Sequence, residues 1–139
     1  RGGAAGGGGG GESGAQVVLG SDLAYFSTDV GELVGAAHAL LSSGSPPGLF
    51  IHAHRFRVDG QREQLVRAAA AVGWATHRAP LSSFVPAADL ATFSQWSGVQ
   101  LLICGSAAAL EALPGAAREG LVALSGAEGE DEGGDDGDA

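Results

Sequence analysis

The 139-residue chain has little of what marks secreted, membrane-spanning or nucleic-acid-binding proteins. Its one cysteine, Cys104, cannot form an internal disulfide, which suits a reducing compartment and predicts a cytoplasmic protein, with the nucleus as the alternative. No secretory signal is recognisable, and the apolar runs are far shorter than the roughly 20 residues needed to cross a bilayer. We therefore expect no membrane contact.

Basic residues are also scarce. All seven are arginines spread along the chain, and they face 16 acids, so the formal net charge is −9. Seven of those acids lie after residue 127; without them, nine acids face the seven arginines, a net charge of −2. A nearly neutral body without a basic face gains little from counterion release, so we expect no nucleic-acid partner.

Both ends of the chain lack large apolar side chains. Residues 1–14 contain GGAAGGGGGG, and residues 126–139 end in EGEDEGGDDGDA. Neither composition can repay the entropy of ordering the backbone, so we predict a disordered Gly-rich linker and a disordered acidic tail that contacts basic proteins. The foldable domain is then 15–125. Because the sequence begins with Arg1 and a glycine run, we also expect a fragment of a longer protein.

Apolar patterns between the ends predict alternating strands and helices. QVVL, at 16–19, is typical of a strand buried on both faces, and residues 29–42 repeat apolar side chains at helical spacing. GLFIHAHRF predicts a second strand and REQLVRAAAAVGW a second helix. This order favours an α/β fold in which helices cover a parallel sheet.

The later elements follow a different rhythm. WATHRAPL and VQLLICG predict two strands without a strong helix pattern between them, so we expect an antiparallel pair at the edge of the otherwise parallel sheet. SAAALEALPGAAREGLVAL predicts a helix broken at Pro114. Asp29 is placed to cap the first helix and Gly73 to end the second.

Asp22 directly follows the first strand, and Asp22-Leu23-Ala24-Tyr25 forms a D-x-x-Y pattern before an amphipathic helix. This order of elements resembles the carboxyl-terminal half of the class I, seven-strand S-adenosylmethionine-dependent methyltransferases, in particular the protein-lysine methyltransferases. In that branch, the fourth strand ends in such an aspartate and tyrosine. A helix, a strand ending near an arginine, a helix ending in residues like VGW, and a final antiparallel pair follow. The resemblance covers about 90 residues.

The resemblance implies a partial Rossmann-like sheet and methyl transfer from S-adenosylmethionine to a protein lysine, with this chain supplying only the carboxyl-terminal half. It implies that Ser21 and Asp22 bind the cofactor and that Asp22 and Tyr25 position the substrate. The family's glycine-rich cofactor loop and ribose-binding acid have no counterpart here. The run GGAAGGGGGG follows no strand and precedes no helix, so it is not that loop.

Asp22 and Tyr25 suit an amine ligand. A carboxylate orients an ammonium but favours its charged form, so Asp22 is expected to position an amine and not to act as a strong base. The ring of Tyr25 could hold a cation with on the order of 0.5 to 2 kcal/mol. The alternative is that Asp22 caps the next helix, Tyr25 packs at its edge and Ser21 is a turn residue.

The other reactive side chains have simpler interpretations. His52 and His54 alternate along a strand and so share a face, but their spacing to His77 and Cys104 does not indicate a metal site, and we expect strand-end polar residues. Cys104 lies among large apolar residues and is expected to be an inert, buried thiol.

Arginines follow the second strand. Arg55 and Arg57 could line a substrate entrance or be solvated surface residues.

Two other functions are compatible with the residues. The absent glycine loop favours a non-catalytic or degenerate methyltransferase-like interaction domain whose acidic tail engages basic partners. A methyltransferase for a small molecule or nucleic acid is the weaker alternative, because a basic surface is lacking.

Overall fold

A computed structural model describes residues 16–24, 28–42, 47–92 and 98–126. Five strands and five helices lie in these ranges. The strands are β1 Val17–Ser21, β2 Leu49–Arg55, β3 Ala75–Ala79, β4 Val99–Gly105 and β5 Val122–Leu124. The helices are α1 Val30–Ser42, α2 Gln61–Ala71, α3 Ala87–Thr92, α4 Ala107–Glu111 and α5 Gly115–Arg118, and a short 3-10 turn spans Leu81–Ser83. The predicted linker and, apart from Gly126, the predicted acidic tail lie outside the described residues.

The strands form one mixed, open sheet in the order β1-β2-β4-β3-β5. β1 and β2 are parallel, whereas β4 is antiparallel to both β2 and β3, and β5 is antiparallel to β3. β1, β2 and β3 therefore run in the same direction. The predicted α/β class and the antiparallel pairing of β3 with β4 are confirmed. The pair is not, as predicted, the outermost part of the sheet, because β5 adds a further strand beyond β3.

Side chains from the two faces of the sheet form two cores. On one face, α1 and α2 pack against each other and enclose the larger core, with Phe50 and Leu102 at its centre. On the other face, Leu110 of α4 packs with Leu49 and Ile103 in a smaller core. Because α4 is short and lies on β4, it leaves β1 uncovered on that face.

The burial predicted for the first strand is wrong. Within the described ranges β1 pairs only with β2, and Val17 and Leu19 are 49% and 74% exposed. The physical reason is that α1 covers one face of β1, while the other face and the outer edge have no neighbour among the described residues. The valine-rich run correctly predicts a strand but not its place in the sheet.

The predicted helix boundaries are confirmed at Asp29, Gly73 and Pro114, but Val122–Leu124, at the end of the last predicted helical stretch, forms strand β5 instead. The amide of Glu32 donates to Oδ1 of Asp29 at 3.0 Å, so Asp29 caps α1. Gly73 follows α2 with a φ of 80°, and Pro114 separates α4 from α5. The described helices are at most 13 residues long, and none has the length and apolar character needed to span a membrane.

Candidate functional site

The carboxyl ends of β1 and β2 lie side by side. The ladder places Gly20 opposite His52 and Ser21 opposite Ala53, and the amide of Asp22 continues it by donating to the carbonyl of Ala53 at 2.9 Å. Because side chains alternate along a strand, Asp22 falls on the same face as His52 and His54. Asp22, the first residue after β1, is thereby held against the last residues of β2.

The backbone of Asp22 is in the left-handed region, with a φ of 54°, and no other non-glycine residue in the described ranges has a positive φ. Aspartate tolerates this conformation better than most residues, but it is still unfavourable. Such conformations persist only where surrounding contacts hold them, and they cluster at functional sites. Contacts around Asp22 must therefore hold it in this conformation.

Each carboxylate oxygen of Asp22 faces a different base. Oδ1 lies 3.0 Å from Nδ1 of His54, at ion-pair distance although the angle is not that of a well-aligned hydrogen bond. Oδ2 lies 3.6 Å from Nη1 of Arg57. The side chain of His54 is 1% exposed, that of Arg57 56% and that of Asp22 itself 40%. The carboxylate thus has one buried partner and one partner in solvent.

Burial lowers the pKa of His54 below its ordinary value. The Asp22 carboxylate acts in the opposite direction and the Arg57 guanidinium adds to the lowering. His54 is therefore neutral at pH 7 and faces the Asp22 carboxylate as an uncharged imidazole. The negative charge of Asp22 then remains available to a cation.

His54 belongs to a row of four rings along one face of β2 and the residue that follows it; the first three rings are stacked, and Phe56 meets His54 edge to face. The ring centroids of Phe50 and His52 are 5.7 Å apart, those of His52 and His54 5.2 Å, and those of His54 and Phe56 4.6 Å. Gly20 makes room for this row, because a Cβ at that position would lie 3.0 Å from Cδ2 of His52 and 3.2 Å from Phe50. The imidazole beside Asp22 is therefore held on both sides.

His52 is the least solvated member of the row. It is fully buried, and neither ring nitrogen has a hydrogen-bond partner among the residues that the structure describes. Burial lowers its pKa to about 4, with a further lowering from His54 and an opposing effect of Asp22. A neutral, unpartnered imidazole in the core is costly and makes this end of the sheet sensitive to acid.

The structure brings together only part of the predicted site. Asp22 is placed at the strand end, as expected, and the capping role considered for it belongs to Asp29 instead. Ser21 is exposed and sits one position back on the ladder, so its side chain points to the opposite face from Gly20 and His52. Tyr25 lies outside the described residues, and its predicted role stays a prediction.

The sequence interpretation missed two members of the site. His54 and His52 share a face, as predicted, and His54 lies one residue before the end of β2, but both side chains are buried, which was not predicted. Arg57 contacts Asp22. The usable signal was the parallel order of the first two strands. Residues that follow their carboxyl ends meet at one sheet edge, so His54 and Arg57 could have been placed next to Asp22.

Clefts open elsewhere on the molecule. One of about 300 Å³ is lined by His38, Ser42, Trp74 and Ser106, at the end of the sheet where β2 begins. Another, of about 350 Å³, lies near His77 and Arg118 on the side of α4. Neither is lined by Asp22 or its partners. The cluster of Asp22, His54 and Arg57 and these clefts are therefore in different places.

The remaining candidates do not add to the site. Cys104 is fully buried, its Sγ lies 3.4 Å from Oγ1 of Thr76, and burial raises its pKa to about 11, so the predicted inert thiol is confirmed. In the part of the chain that the structure describes, no three histidine, cysteine, aspartate or glutamate side chains are grouped to hold a metal ion.

Comparisons with known proteins gave no relative. No protein-family model matches the chain, and no curated protein and no solved structure matches it.

Proposed function

We propose that the chain is the carboxyl-terminal part of a class I S-adenosylmethionine-dependent methyltransferase that acts on a protein lysine. The observation that carries the proposal is the placement of Asp22. This first residue of the D-x-x-Y motif directly follows β1 and lies beside the end of the parallel β2. Ligands of open α/β sheets bind outside the carboxyl ends of the strands.

The order of the elements supports the same proposal. After Asp22 come α1, a strand that ends in Arg55, and α2, which ends before Val72-Gly73-Trp74. The antiparallel pair β3 and β4 follows. Each of these is an element that the resemblance implies, in the same sequence order.

The open edge of the sheet supports a further part of the proposal, that the cofactor-binding half is a separate segment. β1 carries no charged residue, and it exposes Leu19 beside an edge without a partner in the described ranges. Proteins usually protect such edges with charges, proline or a covering element. A neighbouring strand from the cofactor-binding half would bury both the edge and Leu19.

The residues at the carboxyl end of β1 suit the amino group of the cofactor and the amine of a substrate lysine. S-adenosylmethionine supplies a methyl group on a positive sulfonium, and both its amino group and the lysine amine are cations in water. The half-exposed Asp22 carboxylate suits either cation, whereas the exposed side chain of Ser21 points to the opposite face of the sheet. The chain's own contribution is alignment, because a carboxylate stabilises the charged amine and does not help to deprotonate it.

Two carboxylates of one region allow a matched test. In a polypeptide extended at its amino end to include the cofactor loop, Asp22→Asn should weaken S-adenosylmethionine binding or lysine methylation by roughly 10- to 100-fold, the loss expected for one charge-assisted hydrogen bond. Asp29→Asn keeps the cap of α1 and should leave both unchanged. Isothermal titration with S-adenosylmethionine checks binding. No binding with the amino-terminal half restored would remove the proposal.

A second candidate is a non-catalytic interaction domain of the same fold class. The absence of the glycine-rich loop from this chain favours it, and so does Arg57, which already offsets the charge of Asp22. In that case the acidic tail carries the function. Deleting residues 128–139 should abolish capture of a lysine-rich peptide in a pull-down and leave any methylation unchanged.

A further inference from the structure

We propose that His54 is a positioning residue, which holds the Asp22 carboxylate in place at the sheet edge and makes its availability to a cationic ligand depend on pH. The role of that ligand as a methyl acceptor or donor rests on the proposed function. The positioning itself rests on contacts within this chain.

The first step is the rigidity of His54 relative to Asp22. The His54 ring is buried in β2 between the rings of His52 and Phe56. Asp22 lies beyond the end of β1 in a left-handed conformation. Consecutive residues of β2 hold it: the carbonyl of Ala53 accepts its amide hydrogen at 2.9 Å, and Nδ1 of His54 faces its Oδ1 at 3.0 Å. A fixed strand thus sets both the backbone and the side chain of Asp22.

The second step is the contrast between the two bases. Arg57 is more than half exposed, lies at the longer distance of 3.6 Å, and has a long side chain that can leave its place without disturbing the core. His54 cannot leave. An incoming ammonium therefore displaces Arg57 and finds the carboxylate still oriented by His54.

The third step is the charge of His54. Neutral imidazole orients Asp22 without neutralising it, whereas imidazolium would join Arg57 in offsetting the carboxylate. Burial opposes that protonation most and Arg57 opposes it too, while Asp22 and a side-chain hydrogen bond with Gln61, at the start of α2, favour it. His52 is the neighbouring titratable ring on β2, with its centroid 5.2 Å from that of His54. Acidification through the pKa of His54 should weaken the pull of Asp22 on an ammonium.

Nuclear magnetic resonance on the full chain tests the inference without any methylation assay. The Asp22 carboxyl-carbon shift, followed from about pH 8 to 4, should show an inflection at the midpoint of the His54 ring signals, below the ordinary histidine value of about 6.5. His54→Asn keeps an amide donor near the position of Nδ1 but does not titrate there. It should retain the positive φ of Asp22, seen as a strong HN–Hα Overhauser effect, and lose that inflection.

His54→Phe keeps the row of rings and removes the donor. Asp22 should then lose its positive φ and its fixed shift, whereas His77→Asn, a matched change in β3, should alter neither. If the Asp22 carboxyl-carbon shift shows no inflection shared with His54, the inference is overturned, whether or not the phenylalanine variant folds. Because S-adenosylmethionine takes no part, a failure of methyl transfer leaves this result unaffected.

Discussion

The two ends of β2 offer a ligand different things. At the end where β2 begins, a cleft of about 300 Å³ is lined by uncharged side chains and by His38, whose ring packs against Trp74 with centroids 5.3 Å apart. At the end where β2 finishes, Asp22, His54 and Arg57 converge in a polar cluster with a left-handed backbone at its centre. The end with the cleft has few ionisable side chains. The end with Asp22, His54 and Arg57 needs a further surface to enclose a ligand. The difference is what half of an active site would show.

Acid should affect the two ends of β2 most differently, because it acts on the buried histidines at the carboxyl end. The unfolded chain takes up a proton at His52 near pH 6.5 and the folded protein only near pH 4. The stabilisation from neutral His52 is therefore complete above pH 6.5 and is lost as the pH falls to about 4, up to about 3 kcal/mol, and His54 adds in the same direction.

Denaturant unfolding at several pH values measures the effect of acid. His52→Leu should flatten the loss of stability over this interval, and His38→Leu at the other end of the sheet should keep the wild-type slope. An unchanged slope in the His52 variant would contradict the assignment.

An added methyl group at Gly20 should disturb packing only at the carboxyl end of β2. Gly20→Ala would place its Cβ 3.0 Å from His52, and relieving that contact should cost about 1 to 3 kcal/mol. Gly35→Ala is the matched change in α1, where nothing lies within 4 Å, and should stabilise the protein by about 0.5 to 1 kcal/mol. Thermal unfolding of the two variants should therefore shift in opposite directions; a shift of the same sign would argue against a packed row of rings next to Gly20.

Asp22 itself should show a smaller effect that depends on the replacement. Asp22→Ala loses both basic partners and leaves a residue that disfavours positive φ, a loss of about 1 to 2 kcal/mol. Asp22→Asn tolerates the left-handed region and keeps a polar contact with His54, so it should lose less than about 1 kcal/mol. Chemical denaturation ranks the two. Equal losses would mean that the backbone of Asp22 does not need its contacts.

The smallest effect on stability is expected at the end of the sheet where β2 begins. The hydroxyl of Ser42 donates to the carbonyl of His38 at 2.6 Å on an exposed part of α1. Because water can replace that donor, Ser42→Ala should change stability by less than about 0.5 kcal/mol and leave any methylation intact. A methylation defect in this variant would move the function to the cleft.

Local patterns predicted the elements well, because apolar spacing and caps act within a few residues. Asp29 and Gly73 are examples, since each satisfies or ends its own helix. The exposure of β1 was not predictable in this way, since a valine-rich run has the same composition whether one or both of its edges are paired. The insertion of β4 between β2 and β3 likewise depends on pairing between residues distant in sequence.

In the candidate site, too, local features were predictable from the sequence and long-range packing was not. Asp22 could be proposed because it follows a strand. The burial of His54 and His52 could not, because it arises from α1 and α2 closing over their face of the sheet and from the missing side chain of Gly20.

The most direct test of the methyltransferase proposal is to map where S-adenosylmethionine binds on a polypeptide that adds the amino-terminal half to this chain. We predict chemical-shift changes at Ser21, Asp22 and His54 on addition of S-adenosylmethionine, with His38 and Trp74 unaffected. Changes confined to the cleft of His38 and Trp74, or none at all, would contradict the proposal.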